Sequence, residues 1–272
     1  MMRAALFSAC LAACSSSNPP AALPPDASTA LDGAIAPTDG AVADSIDAAV
    51  DRGIEQDYDD LAQTLAGIVR APQLAAMQDG VTLGYSAALP GFTTVQPGEV
   101  AGTREGASYD YMFHCEDQSH IDNFDCGPAS DHIHVYATID GPWMIDRLAF
   151  SSVKLTTRWT IREIYLNKPQ VEGTAQLVTS SSLSTTGTKL DLTVDCLSFD
   201  HVRLDPVPTL PFAGGVTYMI TAHRERATAT PPSRDFTAGA AITFAAGARA
   251  TIALDGTHTY SVNLANGTVS RQ

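Results

Sequence analysis

The sequence predicts a mainly β protein: an antiparallel β-sandwich or barrel with an N-terminal amphipathic helix. Three observations carry this. After residue 80 apolar and polar side chains alternate, as in Leu190, Leu192, Val194 and Cys196 against Asp191, Thr193 and Asp195. That is the period of a strand with one buried face. The C-terminal stretch reads as a meander, with strands over 248–254, 257–264 and 268–271 parted by Asp255-Gly256 and Asn266-Gly267. Both dipeptides accept the positive φ that tight hairpins need. Residues 44–70 instead space Ile46, Val50, Ile54, Tyr58, Leu61, Leu65 and Ile68 by three or four positions, which is one apolar stripe on a helix.

At the N-terminus, Met1-Met2-Arg3 supplies a positive start, and a short apolar or small run leads to Leu11-Ala12-Ala13-Cys14. This is the form of a secretory signal, and the run falls far short of the ~20 residues that span a bilayer. Leu-Ala-Ala-Cys resembles the lipobox of bacterial lipoproteins. That resemblance implies cleavage after residue 13, lipid on Cys14 and attachment to the cell envelope. Ser15, where an aspartate would mark inner-membrane retention, implies the outer membrane. No later stretch has the unbroken apolar length of a membrane helix.

Residues 14–42 read as a tether, with Ser15-Ser16-Ser17, Pro19-Pro20, Pro24-Pro25, many alanines and no aromatic residue. Such a composition buries too little apolar surface to offset chain entropy. Residues 43–272 are then one domain. Its helix over 44–70 is capped by Asp44 and ended by Pro72. The stripe leaves most acidic residues on the solvent side. Further strands are expected over 81–87, 108–114, 131–139, 147–155, 157–166, 170–178, 216–222 and 235–244. Most alternate, so antiparallel pairing with one wet face is expected. Arg158, Arg162, Arg224 and Arg226 read as solvent-facing strand charges.

The net charge is −14, and residues 15–60 alone hold ten acidic residues against the single Arg52. No basic patch balances them, so nucleic acid is not an expected partner. The expected partners are the membrane, through the lipid, and a protein or small molecule. Of five cysteines, Cys10 lies in the leader and Cys14 is the lipid site. Cys115 and Cys126 are expected to pair across a short polar loop, with Cys196 as the alternative partner of either.

Chemistry concentrates in residues 114–134, which hold His114, His120, His132 and His134 of the seven histidines, with Glu116, Asp117, Asp122, Asp125 and Asp131. On a strand His132 and His134 share one face. If the strand ending at His114 pairs with theirs, the three imidazoles converge as in a transition-metal site such as zinc. Glu116 or Asp131 would then orient a ligand or act as a base. Calcium is the alternative cofactor, through Asp117, Asp122, Asn123 and Asp125. No Gly-x-Ser-x-Gly elbow and no glycine-rich phosphate loop is present. The expected role is therefore non-enzymatic, in binding or surface structure. A metal-binding protein or metal-dependent enzyme is the first alternative, and a carrier of an apolar ligand the second.

Overall fold

One long helical rod and one long antiparallel sheet meet face to face. The computed structural model describes residues 40–85, 88–117, 122–124, 126, 130–166, 168–205 and 210–272. The side chains of 40–49, Asp51, Asp122, Asn123, Tyr165, Asp195 and Cys196 lie outside the description. Residues 1–39, which include the expected leader, Cys14 and most of the expected tether, also lie outside it. Ala48–Gln272 form one compact unit and Met1–Asp47 another. Among the described residues no helix is long and apolar enough to cross a membrane.

Helix α1 spans Gly40–Ile68. Pro72 does not end the rod, as expected from sequence. It sits inside a π-helical turn over Val69–Gln73, and helix α2 continues from Leu74 to Gly84. A wider turn tolerates the missing N–H of proline that an α-helical interior would not. The strand expected over 81–87 is thereby replaced at 81–84 by the end of α2, and residues 86 and 87 lie outside the described residues.

The strands are β1 Phe92–Gln96, β2 Glu99–Arg104, β3 Ala107–Asp117, β4 Asp122–Asn123, β5 Ser130–Ile145, β6 Leu148–Arg162, β7 Gln170–Leu183, β8 Thr188–Leu204, β9 Pro211–Glu225, β10 Ser233–Ala245, β11 Arg249–Leu254, β12 His258–Asn263 and β13 Val269–Arg271. Each pairs antiparallel with its neighbour in the chain, except that β5 pairs with β3 and β4 adds only to β3. Among the described residues no ladder joins β1 to β13. The stretches expected as two strands over 147–155 and 157–166 are one strand, β6, which ends at Arg162, while Ile164–Leu166 form a short 3-10 helix. The β1–β2 hairpin was not foreseen, because Phe92–Gln96 is exposed along most of its length and does not alternate.

Strands β5 to β10 run 13 to 17 residues each, and register shifts interrupt β5, β6, β7 and β8. Such bulges bend and twist a long strand. At the β7 bulge Gly173 has φ +130°, and a Cβ there would lie 2.2 Å from the Arg158 carbonyl oxygen. Only glycine fits.

The inner face of the sheet offers Ile133, Val135, Leu155, Trp159, Ile161, Leu177 and Leu192 to Leu61, Leu65, Ile68, Ala76 and Met77 of the rod, all fully or nearly fully buried. Close approach needs small residues on the rod: a Cβ on Gly80 would lie 2.8 Å from Ile161 Cδ1.

Polar pins cross this apolar interface. Asp57 accepts from Arg224 Nη2 at 3.3 Å and Arg226 Nη2 at 3.0 Å. Asp60 accepts from Arg226 Nη1 at 2.8 Å and the Thr188 hydroxyl at 2.6 Å. Farther along the rod, Asp79 accepts from the Tyr111 hydroxyl at 2.7 Å and from Arg104 at 3.1 and 3.3 Å. Arg224 and Arg226 are 1% and 6% exposed, so these two are not the solvent-facing charges expected from alternation. They exist to meet the helix acids.

Candidate metal centre

The opposite, outer face of β3, β5 and β6 carries the candidate site. In β3 the odd residues Tyr109, Tyr111 and Cys115 point inward, and in β5 Ile133, Val135 and Ala137 do so. The even residues His114, Glu116, His132 and His134 therefore share the outer face. Strands β3 and β5 do pair, with His114 opposite His134 and Glu116 opposite His132. Strand β6 brings Thr160 opposite His134 and Arg162 opposite His132.

The loop between β3 and β5 is stapled by a Cys115–Cys126 disulfide with Cα atoms 5.3 Å apart. Its first cysteine adjoins Glu116. The register slips after Glu116, which pairs with His132, while Asp117 pairs with Ser130. Asp131 is the extra residue of this bulge and stands beside His132.

Glu116, His132 and His134 converge, with one ligand atom from each lying within 4.8 Å of the others. Glu116 Oε2 is 2.8 Å from His132 Nε2 and 3.5 Å from His134 Nε2. The other ring nitrogens are engaged separately: His132 Nδ1 lies 3.3 Å from Asp131 Oδ2 and His134 Nδ1 lies 3.1 Å from Thr160 Oγ1. An Nδ1–H donated to each of these oxygens leaves both Nε2 lone pairs aimed at the Glu116 oxygen. Lone pairs facing a carboxylate need a proton or a cation between them.

Ligands about 2.0–2.2 Å from a tetrahedral metal stand about 3.3–3.6 Å apart. The Glu116–His134 separation of 3.5 Å falls in that range, and the 2.8 Å contact of Glu116 with His132 would open to admit the ion. Engagement of Nδ1 by a carboxylate or hydroxyl is the usual outer support of a ligating histidine. Burial pushes the His134 imidazole below the ordinary histidine range. The hydrogen bond to Glu116 pulls the other way, and neighbouring His114 and His132 push down again. The neutral ring is the one that binds metal.

The structure thus brings together three of the four expected ligands. His114 is beside them, with its ring stacked on His134 at a centroid distance of 4.7 Å, but it is not in the converging group, and Glu116 takes the third place. Asp131 orients His132. Thr160 was missed, since its position opposite His134 is a matter of strand register. The expected calcium loop falls largely outside the described residues: of its four side chains only Asp117 is described. Two imidazoles and one carboxylate also lack the six to eight oxygens calcium prefers. His120 lies outside the described residues.

A scan against protein-family models finds no match to this chain. Searches of the curated proteins and of the solved structures likewise find no match. The fold and site define a class only: a mainly β antiparallel domain around a helical rod, with a histidine–carboxylate group on its outer face.

Proposed function

We propose that this chain is a lipid-anchored protein of the bacterial cell envelope whose β domain binds a divalent transition-metal cation, zinc being the reference case, at Glu116, His132 and His134. The observation that carries the metal reading is the aim of two imidazole Nε2 atoms and one carboxylate oxygen at a common point, with both Nδ1 atoms occupied elsewhere. The site sits on the outer face of the sheet, while the inner face is filled by the rod. That arrangement favours a surface binding function over an apolar carrier. The role proposed for the group is binding. Anchoring is supported by the Leu11-Ala12-Ala13-Cys14 motif and an acidic, proline-bearing tether after it.

Elemental analysis of the full chain purified without chelator tests the metal reading. About one equivalent of zinc or a neighbouring metal is expected, and its loss in His132→Ala/His134→Ala. Absence of any bound or titratable transition metal refutes it. For the anchor, Cys14→Ala is expected to abolish membrane association and the acyl mass increment.

A further inference from the structure

We infer that the metallated site takes an oxyanion of the carboxylate or phosphate type, bound to the open coordination position and held from the side by Arg162. The inference rests on the metal reading above and adds the chemical class of what the metal binds.

Three protein donors leave at least one position of a tetrahedral cation open, and more in a larger coordination sphere. Two histidines and one carboxylate set with free positions is an arrangement suited to an exchangeable ligand. The neighbourhood then decides which ligand. Arg162 lies directly opposite His132 on β6, and its side chain is 49% exposed on the same outer face. Side chains opposite one another on adjacent strands start about 5 Å apart. The guanidinium leans toward Glu172 on β7, and an anion at the metal would draw it back across β6 to the histidine pair.

Arg162 is also loosely held. Its nearest acid is Glu172, with Nε 3.6 Å from Oε2, beyond hydrogen-bond length. Glu172 is engaged elsewhere: its Oε1 accepts from Gln170 Nε2 at 2.7 Å and lies 3.1 Å from His201 Nε2. A guanidinium with a partly satisfied partner, next to a cation with an open face, matches the planar two-oxygen geometry of a carboxylate or phosphate. One oxygen would bind the metal and another the fork. By contrast, Arg158 on the same strand lies over the Tyr136 ring at 5.6 Å and is opposite Tyr136, away from the metal group.

The test uses the full chain loaded with cobalt(II), whose visible absorption reports the coordination sphere. Inorganic phosphate and acetate are titrated separately. In the unaltered protein at least one anion is expected to shift the bands saturably. Arg162→Gln is expected to keep one equivalent of cobalt yet weaken the anion response at least fivefold, Arg162→Lys to weaken it less, and Arg158→Gln to leave it unchanged. Cobalt binding with no spectral response to either anion overturns the inference and leaves the metal reading standing, as does an undiminished response in Arg162→Gln. No cobalt binding, or equal binding in His132→Ala/His134→Ala, overturns both. A response to phosphate alone or acetate alone supports the inference and fixes which oxyanion is preferred.

Discussion

Two regions of this molecule hide ionisable side chains, and they do so in opposite ways. On the inner face, Asp57 and Asp60 meet arginines that are always charged, and each partner has a fixed donor geometry. On the outer face, one carboxylate serves two imidazoles, His132 being only 6% exposed. The first arrangement is complete, with every charge answered by an opposite charge. In the second, two imidazole Nε2 atoms share one carboxylate oxygen, an arrangement that a cation between them would complete. Fixed pairs of opposite charge mark a fastening, and titratable rings gathered on one carboxylate mark a site.

Stability separates the two most sharply. Removing one member of a buried ion pair leaves the other uncompensated and costs about 3–5 kcal/mol. Asp57→Ala should therefore lower the urea midpoint drastically, since it strands Arg224 beneath the rod and leaves Arg226 only Asp60. Glu116→Gln without metal should cost about 1 kcal/mol, the net worth of an ordinary hydrogen bond. Equal costs at the two places would break the distinction.

The staple beside the site comes next. Closing a loop of about 15 residues is worth about 3 kcal/mol, and Cys115 and Cys126 are separated by 11. Cys115→Ala/Cys126→Ala should lose stability of that order. It should also weaken zinc binding about tenfold, the lower end for loss of a supporting interaction, because Glu116 follows Cys115 directly. An unchanged zinc affinity would detach the staple from the site. Metal itself should act similarly: zinc at a hundred times its dissociation constant adds about 2.7 kcal/mol to unfolding. The gain should vanish in His132→Ala/His134→Ala and persist in Asp57→Asn, provided that variant folds at the assay temperature.

What the sequence could reveal follows the range of the interactions. The outer-face pair His132 and His134 was legible because alternation needs no tertiary knowledge, and a hairpin-like pairing with the strand of His114 followed from proximity in the chain. Cys115–Cys126 was legible for the same reason. The choice of Glu116 over His114 as third ligand was not, since it turns on which side chains are opposite and where each ring tips. The fate of Arg224 and Arg226 was invisible: their partners are more than 160 residues away, and alternation alone left both facing solvent. The acids Asp57 and Asp60 were counted as solvated for that reason. Pro72 misled because a π turn relieves it at no cost the local pattern records.

The smallest effect belongs to ion pairs at the solvent edge, which are neither fastening nor site. His223 Nδ1 lies 2.6 Å from Asp235 and its ring also faces Glu225. Its pKa is raised, first by the hydrogen bond to Asp235 and further by Glu225 and Asp191. His201 is raised likewise, first by Asp200 and then by Glu172. A raised folded-state value means the folded protein holds the proton more tightly than the unfolded chain. The resulting stability is fully present below the unfolded value of about 6.5 and is lost as pH rises through the folded values. The chelator-treated protein and His201→Gln/His223→Gln should therefore differ most at about pH 6 and converge at about pH 8. The measurement is the urea midpoint of each across that range. A gap that widens toward high pH would reverse the sign and show that these rings are held neutral.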